Sequence, residues 1–151
     1  MTTFYFMVGI PGSGKSTYAA TRGCRVVCPD VIRVEYRVGS AEAFEIACRE
    51  VAEELRAGRD VVFDATNTIR EFRPERIAAG RPYADRVVCI WMDTPPMTCM
   101  WRNLERMRQT GRPAVPADVI ERMARQLADN PPELSEGFDE IRRILPEEKG
   151  E

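Results

Sequence analysis

The sequence predicts an α/β domain with a mostly parallel sheet, on three observations. Apolar runs of strand length recur along the chain, amphipathic helical patterns separate them, and a glycine-bearing turn joins the first strand to the first helix. The 151 residues suit one domain, expected over 1–151, with a single proper core. The first strand is expected over Thr3–Val8 and the first helix over Gly14–Thr21. A second strand follows at Arg25–Cys28, then a short helix over Val31–Tyr36. In Ala41–Arg56 the apolar residues Phe44, Ala47, Val51 and Leu55 fall three or four apart, the spacing of a helix with one buried face, which Gly58 ends. The third strand is Asp60–Phe63, the next helix Ile69–Ala79, and the fourth strand Arg86–Met92. Helices over Pro96–Gln109 and Pro116–Ala128 flank a loop at Thr110–Pro116 that carries proline and glycine. Asn130–Gly137 then leads to a weaker strand at Glu140–Leu145.

Composition narrows the chemistry. The basic and acidic residues number 22 and 24, for a net charge of −2. Any polyanion site must therefore be local. Only Lys15 and Lys149 are lysines, the other basic residues are arginines, and histidine is absent. A Ser-His-Asp triad, a histidine general base and a histidine-bearing zinc site are all excluded. A carboxylate is the expected proton acceptor. The five cysteines (24, 28, 48, 89, 99) show no paired CxxC spacing and read as structural reduced thiols of a cytoplasmic protein. The first apolar stretch is too short to span a bilayer, no basic leader precedes it, and nothing later reaches eighteen apolar residues. Neither secretion nor membrane insertion is expected. Oligomeric state stays open, a homo-oligomer included.

Directly after the first strand, Gly9-Ile10-Pro11-Gly12-Ser13-Gly14-Lys15-Ser16 satisfies GxxxxGK[ST] in full. Glycines let the backbone turn its N–H groups inward, the following helix points its positive end at the same place, and the lysine reaches the outer phosphates. Gly9, Pro11, Gly12, Ser13, Gly14, Lys15, Ser16 and Thr17 are the expected nucleotide contacts, with the Ser16 hydroxyl also offered to Mg²⁺.

Parallel sheets collect ligands at the carboxyl ends of their strands, so Asp30 after the second strand and Asp64 after the third should meet this loop. Two carboxylates beside a triphosphate match the two tasks that phosphoryl transfer asks of acids, holding Mg²⁺ and accepting a hydroxyl proton. Asp64 follows three apolar residues and is the metal-side candidate, its plainer role being to cap the next turn. Asp30 is the general-base candidate, its plainer role being the N-cap of the helix that follows.

Residues 101–125 carry six arginines and three acids, a local +3. A solvated helix face usually explains such a run. Its position after the fourth strand also suits a lid over a nucleotide, with Arg106 as the candidate to stabilise the transferring phosphoryl group and Arg102 as a nucleotide contact.

The succession GIPGSGKST, PDVIR, DATN, RNLER, RPAVPADVIERM and EGFDEI resembles the kinase domain of the polynucleotide 5′-hydroxyl kinases of bacteriophage and bacterial end repair, within the P-loop kinase superfamily. The resemblance covers most of the chain. It implies a three-layer P-loop kinase fold with a sheet of order 2-3-1-4-5, helices on both faces and a C-terminal helical lid near 101–128. It implies that Asp30 is the general base, that Arg33 holds the acceptor's phosphate and that Arg106 stabilises the transition state. Lys15 is expected to join Arg106 in neutralising the transferred phosphoryl group, Arg37 is a further acceptor candidate by its place after Asp30, and ATP (or GTP) with Mg²⁺ is the expected phosphoryl donor. Pro29, where the family often has arginine, and a longer loop before Arg112 and Pro113 depart from the pattern. These departures bear on the acceptor more than on phosphoryl transfer. A polynucleotide 5′ end, a hydroxymethyl pyrimidine in phage DNA and a small alcohol are the acceptors in contention. The competing class is a nucleotide-dependent switch that hydrolyses ATP with no acceptor.

Overall fold

A computed structural model describes residues 1–146 of the chain, so Lys149 lies outside the described residues. The element order is β1 (Thr3–Val8), α1 (Lys15–Ala20), β2 (Arg25–Val27), α2 (Pro29–Tyr36), α3 (Ser40–Arg56), β3 (Val61–Phe63), α4 (Arg73–Ala78), β4 (Arg86–Met92), α5 (Pro96–Thr110), α6 (Ala117–Asp129) and β5 (Glu140–Ile144). The five strands form a parallel sheet, as the sequence pattern predicts, in the order β2-β3-β1-β4-β5 that the family resemblance implies.

Alternation along the central strands builds two unequal layers. Phe4, Phe6, Val8, Phe63, Val87 and Cys89 face α3, α4, α5 and α6, where Val51, Leu55, Ile77, Cys99, Ile120 and Leu127 complete the larger core. Met7, Val62, Val88, Ile90 and Met92 face the other way and pack with Ala19 of the six-residue α1. The rings of Phe6, Phe63 and Phe138 meet at centroid distances of 5.6 and 5.4 Å. Because β1 lies at the centre, its carboxyl end delivers the glycine-bearing turn to the middle of the sheet edge where Asp30 and Asp64 also emerge.

Several element boundaries differ from the expected ones for local reasons. Helix α2 starts at Pro29, the residue best suited to a first turn, and Cys28 is its N-cap. Asp30 therefore sits inside the first turn and is not the N-cap. The strand expected over Arg25–Cys28 accordingly ends at Val27. The helix expected over Ile69–Ala79 divides into a 3₁₀ turn at Arg70–Phe72 and α4. Pro116, the expected first residue of the last helix, is the N-cap of α6, which begins one residue later at Ala117.

The sequence gives little hint of Arg73, whose side chain is fully buried. It donates to Glu136 Oε1 at 2.7 Å, Asn67 O at 2.7 Å and Asn130 O at 2.6 Å. These bonds tie the end of α6 and the segment before β5 to the loop after β3. Removing one partner of a buried ion pair costs about 3–5 kcal/mol, because the other charge stays buried and unpaired. Arg73→Met is expected to lower the thermal midpoint by about 10 °C. Adding Glu136→Leu to it should restore part of that loss in the same melting experiment.

Candidate active site

The turn after β1 is shaped by hydrogen bonds spent within the protein. Gly9 N–H donates to Thr66 O at 3.0 Å, and Ser13 N–H donates to Ile10 O at 3.1 Å. Both amides are thus committed to holding the loop. Gly12 has φ +85°, and a Cβ placed there would stand 2.5 Å from the Cys99 carbonyl oxygen. No other residue type fits this approach of the loop to α5. Thr94 Oγ1 donates to Ser13 O at 3.0 Å, and Arg102 Nη1 donates to Gly12 O at 3.4 Å, so the segment after β4 and α5 itself brace the loop from behind.

In front of the loop lies a cleft of ≈460 Å³ lined by Lys15, Ser16, Asp30, Asp64 and Arg106, with Pro11, Gly12, Gly14, Thr17 and Val115. Asp64 is buried, and Ser16 Oγ donates to its Oδ2 at 2.9 Å. Burial pushes the Lys15 ammonium below the ordinary lysine value, and the negative charge of Asp64 opposes that shift. Lys15 Nζ donates to Ile10 O at 3.3 Å, a long bond that the oxygens of a phosphate would outcompete. Asp30 is open to solvent, with Arg33 Nη2 3.8 Å from its Oδ1.

The cleft collects Lys15, Asp30, Asp64, Ser16 and Arg106 from four separate stretches of sequence. It does not include Arg33 or Arg37, which stand on the exposed side of α2; Arg37 is the C-cap, with φ 57°. Gly9 and Ser13 lie behind the lining. Arg108 turns away to pair with Glu105 at 2.8 Å.

Ser16 and Asp64 are hard oxygen donors in contact, which fits Mg²⁺. No group of three histidine, cysteine or acidic side chains able to hold a metal exists among the described residues. A bound Mg²⁺ would take its other ligands from phosphate and water, as this ion prefers.

Asn103 is the residue of this site that local pattern misses. It is buried on α5, donates from Nδ2 to Val115 O at 2.7 Å and accepts at Oδ1 from Val115 N–H at 3.0 Å. One side chain thereby pins the α5–α6 loop so that Val115 reaches the cleft. Asn103→Ala leaves two backbone groups unpaired at about 1–3 kcal/mol each. We expect the thermal midpoint to fall by about 5 °C in a melting experiment.

All five cysteines are free thiols. Burial pushes Cys89 up to about 12 and Cys99 up to about 11, leaving both protonated at neutral pH. Cys28 lines the cleft, and its thiol too is raised by burial. No helix among the described residues is long and apolar enough to cross a membrane.

The model of the AAA domain family matches residues 5–130. "Transcription factor bHLH140" of Arabidopsis thaliana is 29% identical over 143 residues, which cover 89% of this chain and 15% of that protein. Among solved structures, a chain of the Pnkp1/Rnl/Hen1 RNA repair complex has a TM-score of 0.74 at 26% identity, over 91% of this chain and 46% of that one. The Mycobacterium tuberculosis APS kinase CysC, solved with AMPPNP and APS, has a TM-score of 0.62 at 18% identity, over 96% of this chain and 88% of its own. The chain therefore spans a small part of the curated relative and less than half of the RNA repair chain.

Proposed function

The chain belongs to the AAA domain family, and from that premise we propose that it is an ATP-dependent kinase acting on a hydroxyl of nucleic acid, the 5′-hydroxyl end of a polynucleotide before others. The P-loop kinase fold is the frame for this reading. The observation that carries it is the single cleft in which Lys15, Ser16, Asp30, Asp64 and Arg106 converge. A switch that only hydrolyses nucleotide has no need of a second, solvent-open carboxylate beside the phosphates. The likeness to a chain of an RNA repair complex supports a nucleic-acid acceptor.

In this mechanism residues 1–151 act as one kinase domain with 101–128 as its lid. The acceptor hydroxyl enters from solvent beside Asp30, whose carboxylate takes the proton as the oxygen bonds to the γ-phosphorus. The bond from that phosphorus to the β–γ bridging oxygen breaks, and ADP leaves. Lys15 and Arg106 hold the phosphoryl oxygens in line and neutralise charge at the transition state. Ser16 and Asp64 would hold Mg²⁺, which would supply further neutralisation of the phosphate charge. Arg33 and Arg37, on the exposed face of α2 beyond Asp30, would grip the acceptor's first phosphates.

A small alcohol is the second reading, favoured by the fold likeness to an APS kinase and by the acidic balance of the chain. The test is label transfer from γ-labelled ATP to 5′-hydroxyl DNA and RNA, hydroxymethyluracil-containing DNA, nucleosides and small alcohols. Labelling of 5′-hydroxyl ends, with a Michaelis constant that rises steeply with added salt, is expected. Labelling of small alcohols alone, without salt dependence, would favour the second reading.

A further inference from the structure

A second cleft adjoins the phosphate loop on the side away from Asp30 and Asp64. It measures ≈390 Å³ and is lined by Thr17 of α1 and by Trp101, Arg102, Glu105 and Gln109 of α5. Gly12, Gly14, Thr17 and Arg106 border both this cleft and the first. A triphosphate seated along the loop with its γ-phosphate beside Asp30 must direct its nucleoside out of the opposite end. That end opens into the second cleft.

We propose that Trp101 is the stacking wall for the base of the phosphoryl donor, and that Glu105 and Gln109 meet the polar edge of a purine there. The proposal rests on the kinase reading above. Trp101 is 64% exposed, a large aromatic surface left to water at the mouth of a cleft that borders the phosphate loop. Trp101, Glu105 and Gln109 recur every four residues, so α5 turns them to one side. Arg102, next to Trp101, is held by Gly12 O, which fixes this turn of α5 against the loop. Glu105 accepts from Arg108 through Oε2 and keeps its other oxygen for an amine of the base, while Gln109 both donates and accepts. Met97 and Leu104 are also exposed on α5, so a protein partner is the rival occupant of this helix.

The experiment uses tryptophan emission and calorimetry with two probes, ATP and inorganic tripolyphosphate, each with Mg²⁺. The protein has two tryptophans, Trp91 and Trp101, so Trp101→Phe isolates the signal of Trp91. ATP should quench the native protein and leave Trp101→Phe unchanged, whereas tripolyphosphate should displace ATP without quenching. Trp101→Ala should weaken ATP about tenfold, within the range known for base stacking on aromatic side chains, and leave tripolyphosphate affinity unchanged. The subsite is overturned if ATP and tripolyphosphate both bind but Trp101→Ala weakens neither, or if emission responds to protein concentration and not to ATP. Binding of neither probe would instead remove the kinase reading, and the subsite with it.

Discussion

Replacing Asp30 with Asn is expected to reduce turnover by about 10²–10⁴-fold, the range general-base catalysis contributes, while ATP affinity stays unchanged. The substitution is nearly isosteric and removes only the capacity to accept a proton. Asp30 stands inside the first turn of α2 with no side-chain cap bond, so an effect through helix capping is not expected. It is exposed, with only a loose approach of Arg33 at 3.8 Å, so its loss should leave the thermal midpoint unchanged. The measurement is single-turnover phosphoryl transfer, alongside ATP binding by calorimetry. A variant that retains near-native turnover would remove Asp30 as the base and leave Asp64 as the sole carboxylate of the mechanism.

The second large effect is expected at Arg106. It lines the cleft in front of the loop from the exposed face of α5, and no carboxylate pairs with it among the described residues. A guanidinium supplied to a transferring phosphoryl group is worth about 10³–10⁵ in turnover. Arg106→Ala is expected at the lower end, about 10³-fold, because Lys15 remains in place. Arg106→Lys should recover little, since a point charge cannot reproduce the planar fork. Arg108→Ala is the control. That residue points to solvent and pairs with Glu105, so its loss should change turnover less than twofold, about 0.4 kcal/mol.

Much of the fold and of the cleft is legible in the order of residues alone. The motif from Gly9 to Ser16 announces itself because the turn needs glycine at Gly12 and Gly14, where φ is +85° and +99°. Strand-end aspartates follow from the parallel sheet, whose order matches the one expected. Contacts between distant parts of the chain are what local pattern does not convey. Arg73 and Glu136 lie 63 residues apart, and an arginine next to a proline reads as surface. Asn103 sits inside a helix pattern where asparagine looks merely polar, and its partner Val115 belongs to the next loop. Gly9 and Ser13 fit the motif as nucleotide contacts, yet their N–H groups serve the loop itself. Helix α2 begins earlier than expected because a proline that would break a helix interior can equally open a first turn, as Pro29 does.

The charge pattern also gains a location. A near-neutral chain concentrates Arg102 and Arg106 on α5, one bracing the loop at Gly12 O and the other open to the cleft. The Lys15 ammonium, which burial disfavours and Asp64 supports, lines the same cleft. Asp64, Ser16 and Lys15 thus form a fixed floor on rigid elements, and Asp30 and Arg106 close in from two helices.

The decisive experiment for the kinase reading is the fate of labelled γ-phosphate when the protein is given a 5′-hydroxyl oligonucleotide and, separately, the same oligonucleotide already phosphorylated at its 5′ end. Label is expected on the first, removable by a phosphatase, and none on the second. Release of inorganic phosphate at equal rates with either oligonucleotide or with none, and no labelled acceptor, would refute transfer to a 5′ end.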